Sequence, residues 1–139
     1  AARFEEFRQT LNEHLSVTTD HTQYARETFF DVDADPTEIT EKFVLELEKL
    51  EPFGHKFPEP VLRLSSPRIQ DFKVLKEKHL KLKVCGTRGV GIDAIWFNAL
   101  VRDPALSAET ACNKAFYVTP HWNEWQGRKK LQLRIHSAV

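Results

Sequence analysis

The sequence contains no methionine and only two cysteines, two tyrosines and five glycines among its 139 residues. The lack of methionine extends to the first position, as expected of a piece cut from a longer protein or of a processed or engineered terminus. Two cysteines, Cys85 and Cys112, without a secretory signal argue against a disulfide framework and for a reducing, intracellular setting. No apolar run approaches the ~18–20 residues of a membrane span, which excludes an integral helical anchor in this stretch. Catalytic patterns are missing as well: no HExxH, CxxC, P-loop or GxSxG occurs. The histidines (His14, His21, His55, His79, His121 and His136) are scattered, with no acidic or cysteine partner at metal-ligand spacing. An autonomous enzyme therefore has no site chemistry to rest on.

What is present divides in two. The net charge of zero is the sum of an acidic and a basic part. Residues 1–60 hold 6 Lys/Arg against 14 Asp/Glu, and residues 61–139 hold 14 against 6. The basic part is the one suited to a polyanion. In the acidic part, Phe4, Phe7, Leu11 and Leu15 recur at helical spacing, and a polar, Thr-rich stretch with a turn around Thr18–His21 follows. Thr28–Asp33 reads as a short extended piece. The Asp31/Asp33/Asp35 comb invites a calcium-loop reading, but the sixth and twelfth positions are Pro36 and Lys42, where such a loop needs Gly and Glu. A local reading is better: Asp35 as N-cap, Pro36 at the first helical position and Glu38 closing the box predict a helix carrying Ile39, Phe43, Val44, Leu47 and Leu50. Pro52 and Gly54 end it, and a Pro-rich connector covers 53–60.

The basic part is organised around Lys78–Asn98. There Leu80, Leu82 and Val84 alternate with His79, Lys81 and Lys83, the period-two pattern of a strand with one dry and one wet face. Glycines 86, 89 and 91 mark a turn, and Ile92–Phe97 returns as a second strand. Val61–Leu64 with Arg68–Leu75 reads as a first strand, long or broken, because Pro67 does not fit an uninterrupted central strand. Lys114–Pro120 is a fourth strand. Trp122–Gly127 reads as a loop, and Leu131, Leu133 and Ile135 mark a last strand. The expected fold is mainly β with N-terminal helices: a five-stranded OB-type Greek-key barrel at 61–139, preceded by a helical segment at 1–52.

OB barrels hold single strands by joining a positive groove to aromatic platforms. Candidates for the charge are Lys81, Lys83, Arg88, Arg128, Lys129, Lys130 and Arg134, with His79 as a further surface contact. Candidate platforms are Phe97, Trp122 and Trp125, whereas Trp96 shares a face with Ile92 and Ala94 and reads as core. A solvated strand face explains the lysines of one strand equally well. Two basic elements, 79–83 and 128–134, bring the binding reading level with it.

Four separated runs then carry a family resemblance: LEPFGHKFPEPV (50–61), HLKLKV (79–84), IDAIWFNA (92–99) and NEWQGRKKLQL (123–133). In order and spacing they resemble the C-terminal part of RecJ, the bacterial single-strand-specific exonuclease family, from about residue 31 to 135. The chain departs from the Gly-Glu-Gly-Asn-Pro of many members at Gly54-His55-Lys56-Phe57-Pro58. The resemblance implies a single-stranded-DNA-binding OB module of a cytoplasmic bacterial 5′-to-3′ exonuclease of DNA repair and recombination. It also implies that residues 1–30 are the tail of a DHHA1 region and that residues 31–50 are the helix leading to the barrel. Mn²⁺ or Mg²⁺ would be held by a DHH domain whose signature this sequence lacks, so no catalytic or metal residue carries over and no cofactor is expected here. The implied partners are single-stranded DNA, the remaining RecJ-like domains and single-strand-binding protein, without a membrane. The alternative reading is a protein-docking module that engages single-strand-binding protein or braces the catalytic core.

Overall fold

The computed structural model describes residues 2–18 and 29–139. The turn expected around Thr18–His21 and the first residue of Thr28–Asp33 fall, from Thr19 to Thr28, outside the described residues. The chain opens with helix α1 (Ala2–Thr18). Its apolar stripe forms as expected, but Phe4, Phe7, Leu11 and Leu15 are all exposed.

The second helix begins later than the sequence predicts. Helix α2 spans Glu41–Glu48, with Thr40 as N-cap accepting from the Phe43 amide. Asp35 is drawn elsewhere: its carboxylate accepts from the Thr37 amide at 2.8 Å and from the Thr87 amide at 3.1 Å across the molecule. Glu38 still accepts from the Asp35 amide at 2.9 Å, but this closes a turn over Pro36–Glu38 and not a helix. Ile39 and Val44 enter the core, and Leu50 stays exposed.

The strands are β1 (Val32–Asp33), β2 (Leu62–Leu64), β3 (Arg68–Leu75), β4 (His79–Cys85), β5 (Gly91–Trp96), β6 (Phe116–Trp125) and β7 (Arg128–Ala138). They form one sheet in the order β1-β2-β6-β7-β5-β4-β3. The described residues are therefore mainly β with an N-terminal helix: seven strands lie in one sheet, OB-like in character, that hydrogen bonds do not close into the expected five-stranded barrel. Two local causes raise the count. The break at Ser65–Pro67 divides the first strand, so that β2 pairs with β6 while β3 pairs with β4 at the far margin. Val32–Asp33 then adds in parallel to β2. Since only Ser65, Ser66 and Pro67 separate β2 from β3, the sheet rolls until β3 at one margin is the covalent neighbour of β2, next to the other margin.

The segment expected as a loop at Trp122–Gly127 is mostly strand. β6 and β7 run together from Phe116↔Ala138 to Trp125↔Arg128. The connection needs only Gln126 and Gly127, both with positive φ (50° and 74°), the two-residue turn that matches strand twist. Two short helices, α3 (Ala99–Arg102) and α4 (Ala108–Cys112), link β5 to β6. The core lies inside the roll, where Leu62, Leu64, Leu80, Leu82, Val84, Phe116, Val118 and Leu133 are sealed from water. Trp96 joins them, its ring meeting Phe116 edge-on at 6.2 Å.

Gly86 is where the acidic segment seats on the β4–β5 turn. A Cβ there would lie 2.0 Å from Asp35 Oδ1 and 2.7 Å from the Thr37 nitrogen. Gly86→Ala is expected to cost about 1–3 kcal/mol, the usual penalty of forced overpacking. Gly54→Ala, which meets nothing within 4 Å, serves as the control. Urea midpoints check the pair; equal midpoints would show that this seating contributes nothing.

Candidate nucleic-acid interface

Residues paired across a sheet share a face, so the register states which side chains meet. Lys81 pairs with Ile95 and Ile95 with Arg134; Lys83 pairs with Asp93 and Asp93 with Gln132. The two basic elements thus lie on one outer face, with β5 between them. Lys130 confirms the placement by donating to Asp93 Oδ2 at 2.7 Å. The Lys81 ammonium stands 3.9 Å from the same oxygen. Asp93 is mostly covered and holds two cations in place, while Arg134 has no such carboxylate in its row. Gly91 makes room for the Lys83 stem, whose Cε would otherwise sit 2.8 Å from a Cβ.

The remaining candidates spread around this face. Trp125 is 72% exposed and paired with Arg128 at the hairpin tip, close along the strand to Lys130. Phe97 is 52% exposed at the other end of β5. Its ring stands edge-on to His79 at 5.5 Å, and His79 Nδ1 accepts from the Asn98 amide at 2.9 Å. That bond leaves the proton of the neutral ring on Nε2 and makes His79 a prop for Phe97. Arg88 is exposed on the β4–β5 turn. Lys129 and Trp122 have the opposite parity. Lys129 pairs with Glu124 at 2.9 Å, which raises its pKa. Trp122, on β6, is half-buried against the core and lines a pocket with Val44, Leu47 and Glu48 of α2. The structure brings Lys81, Lys83, Lys130, Arg134, Trp125 and Arg128 to one side and does not bring Trp122 or Lys129 there.

Reading the sequence missed residues that extend this face. Phe29, Phe30, Arg102 and His136 line a groove of about 550 Å³ with Phe97 and Arg134. Phe30 is fixed by Tyr117, edge-on at 5.8 Å, and by the Arg63 guanidinium 4.2 Å above its ring. Arg63 in turn forks onto Asp33, which holds the Asp33 carboxyl below its ordinary pKa. The signal for His136 was available, since it shares strand parity with Arg134. Nothing local marked Phe29, Phe30 or Arg102, whose place depends on contacts between segments far apart in the chain.

A rolled, mainly β sheet with cations gathered on one outer face and aromatics toward its ends defines the class: a small OB-like β module with a basic face. Residues 30–137 match the family model described as the RecJ OB domain, and the chain belongs to that family. Its structure is also similar to that of RecJ from Thermus thermophilus, determined in complex with Mn²⁺, with a TM-score of 0.62 at 20% identity. The likeness covers 99% of this chain but 19% of that one, so the chain spans about a fifth of its length. No curated protein matches it by sequence.

The described residues do not offer a site for a metal such as the Mn²⁺ of that structure. Among the described residues no three of His, Cys, Asp and Glu come together to hold a metal ion. The aspartate comb is engaged in other bonds: Asp31 accepts from the Val61 amide at 2.8 Å, Asp33 pairs with Arg63, and Asp35 caps Thr37 and Thr87.

Two histidines near the face respond to its charge. Burial, and next the Arg134 guanidinium, hold both His121 and His136 below the ordinary value of 6.5. The His136 Nε2 lies 2.7 Å from the buried Thr119 hydroxyl. With folded pKa values depressed, the unfolded chain binds more protons as pH falls below about 6.5, so this stability is complete above that pH and declines below it. The urea midpoint is expected to drop between about pH 7 and 5, and less so in a His121→Gln/His136→Gln variant. Parallel declines in the two proteins would refute the assignment. Asp33 and Asp35, both lowered, act only in a separate window near and below 3.8.

Proposed function

We propose that this chain is the single-strand-gripping module of a RecJ-like 5′-to-3′ exonuclease acting in DNA repair and recombination in the bacterial cytoplasm. The observation that carries the reading is the meeting of Lys81, Lys83, Lys130 and Arg134 across β4, β5 and β7, with Trp125 exposed at one end and Phe97 at the other. In this reading β2 and β3 are two halves of one strand, and with β1 set aside the strands follow the five of an OB barrel. The parallel β5–β7 pair and the antiparallel β3–β4–β5 meander support that mapping.

Chemically the face suits a sequence-tolerant grip. Phosphates displace counterions at the lysines and Arg134, and the end aromatics offer π-faces that any base can use. Hydrolysis, and the Mn²⁺ or Mg²⁺ that serves it, belong in this reading to domains of a longer chain. A second reading is protein docking, with carboxylates of single-strand-binding protein or of a catalytic core meeting the same lysines. The exposed apolar stripe of α1, a face in want of a cover, favours it.

A titration with labelled single-stranded oligonucleotide at several salt concentrations tests the grip. Affinity is expected to fall linearly with salt on logarithmic axes, and Lys81→Ala/Lys83→Ala should reduce the slope by about 1.4, or roughly 0.7 per lost contact. Asp93→Asn, which frees two ammonium groups, should tighten binding at low salt. Trp125→Ala should weaken it about fivefold or more. An unchanged slope in the double variant would remove β4 from the DNA path.

A further inference from the structure

The groove at the end of the sheet has a composition unlike the face it adjoins. Its walls are Phe29 and Phe30 from the segment before β1, Phe97 after β5, Arg102 of α3, and Arg134 and His136 of β7. Its volume, about 550 Å³, lies in the small-ligand range of roughly 300–1,000 Å³. Phe29 is 80% exposed, an unusual state for a phenylalanine in a packed domain. Two of its members are braced: Tyr117 and Arg63 clamp Phe30, and Arg102 is anchored by a bond from Nη1 to the His136 carbonyl at 3.1 Å. Asp31 and Glu59 also border the groove, and the Asp31 carboxylate is taken by the Val61 amide.

The groove is continuous with the cation face, because Arg134 and Phe97 belong to both. Between Lys81 and Arg134 the face offers only Ile95, which is buried and has no π-surface. A strand following the lysines therefore finds charge along the sheet and stacking surface only at its ends. We propose that the groove is a subsite for one unpaired nucleotide, its base against Phe29 or Phe97 and its phosphate on Arg102 or Arg134. The subsite rests on the single-strand-binding reading and adds a path: the strand leaves the sheet at Arg134 and turns toward the segment before β1.

The test uses oligo-dT with a single 2-aminopurine at successive positions, titrated at low salt into the whole chain and its variants. The wild type should change the probe's emission most at positions near one end of the bound stretch. Phe29→Ala should relieve that change and weaken binding about fivefold or more, and Arg102→Ala should weaken it in the same direction. Both side chains are exposed, so unchanged urea midpoints will show that the fold is kept. If both variants keep wild-type affinity and emission while Lys81→Ala/Lys83→Ala still weakens binding, the subsite is overturned and the sheet reading stands. If the wild type binds no oligonucleotide at low salt, both fall together.

Discussion

The pleat of β4 is the constraint on which the rest of the molecule depends. Leu80, Leu82 and Val84 are almost fully sealed in the core, and every residue between them must face outward. A slip of one position would bury Lys81 and Lys83 and expose three aliphatic side chains. Burying even one unpaired ammonium costs several kcal/mol, so the register has no near competitor. Because β4 pairs with β3 on one side and β5 on the other, its register also orients both neighbours. The placement of Asp93, and through it of Lys130, follows.

Asp93 decides how that cation face behaves. Several cations on one face repel one another, and a carboxylate among them relieves the repulsion at the expense of charge available to a ligand. Its position on β5, between the two basic strands, lets a single acid serve both. Exposed ion pairs contribute little to stability, but this acid is mostly covered and holds the Lys130 head against the sheet. Under the proposed grip, holding cations in place in advance would lower the entropy cost of taking a polyanion. Arg134 has no carboxylate in its own row across β4 and β5, and it also lines the groove.

Features written in short-range period were readable from the sequence, and features made by long-range contact were not. Alternation in 79–84 gave the strand, its inner face and its outward lysines, and the break at Pro67 was visible in the residue itself. Trp122 and Trp125 misled because aromatics beside Asn and Gly look like a loop, although Gln126–Gly127 alone turns the chain. Parity then separates the two tryptophans, which composition had grouped. Asp35 misled for the opposite reason: its local capping pattern was sound, but the Thr87 amide, 52 residues away, claims the carboxylate. The same limit hid the groove, whose walls come from residues 29–30, 97–102 and 134–136.

The charge division along the chain now has a physical meaning. Asp31, Asp33 and Asp35 are not a reservoir of negative charge facing the solvent; each fastens the acidic segment to the basic half, at Val61, Arg63 and Thr87. Among the described residues, Arg63 is the basic-half cation that pairs with one of these aspartates, and it lies on β2, away from the β4–β5–β7 face. The segment before β2 therefore contributes its acids to folding and its aromatics, Phe29 and Phe30, to the groove. A unit cut at residue 61 would keep the lysines but lose the parallel strand β1, the Phe30–Arg63 clamp and one wall of the groove. The family match, residues 30–137, takes in all three of these acids together with Phe30.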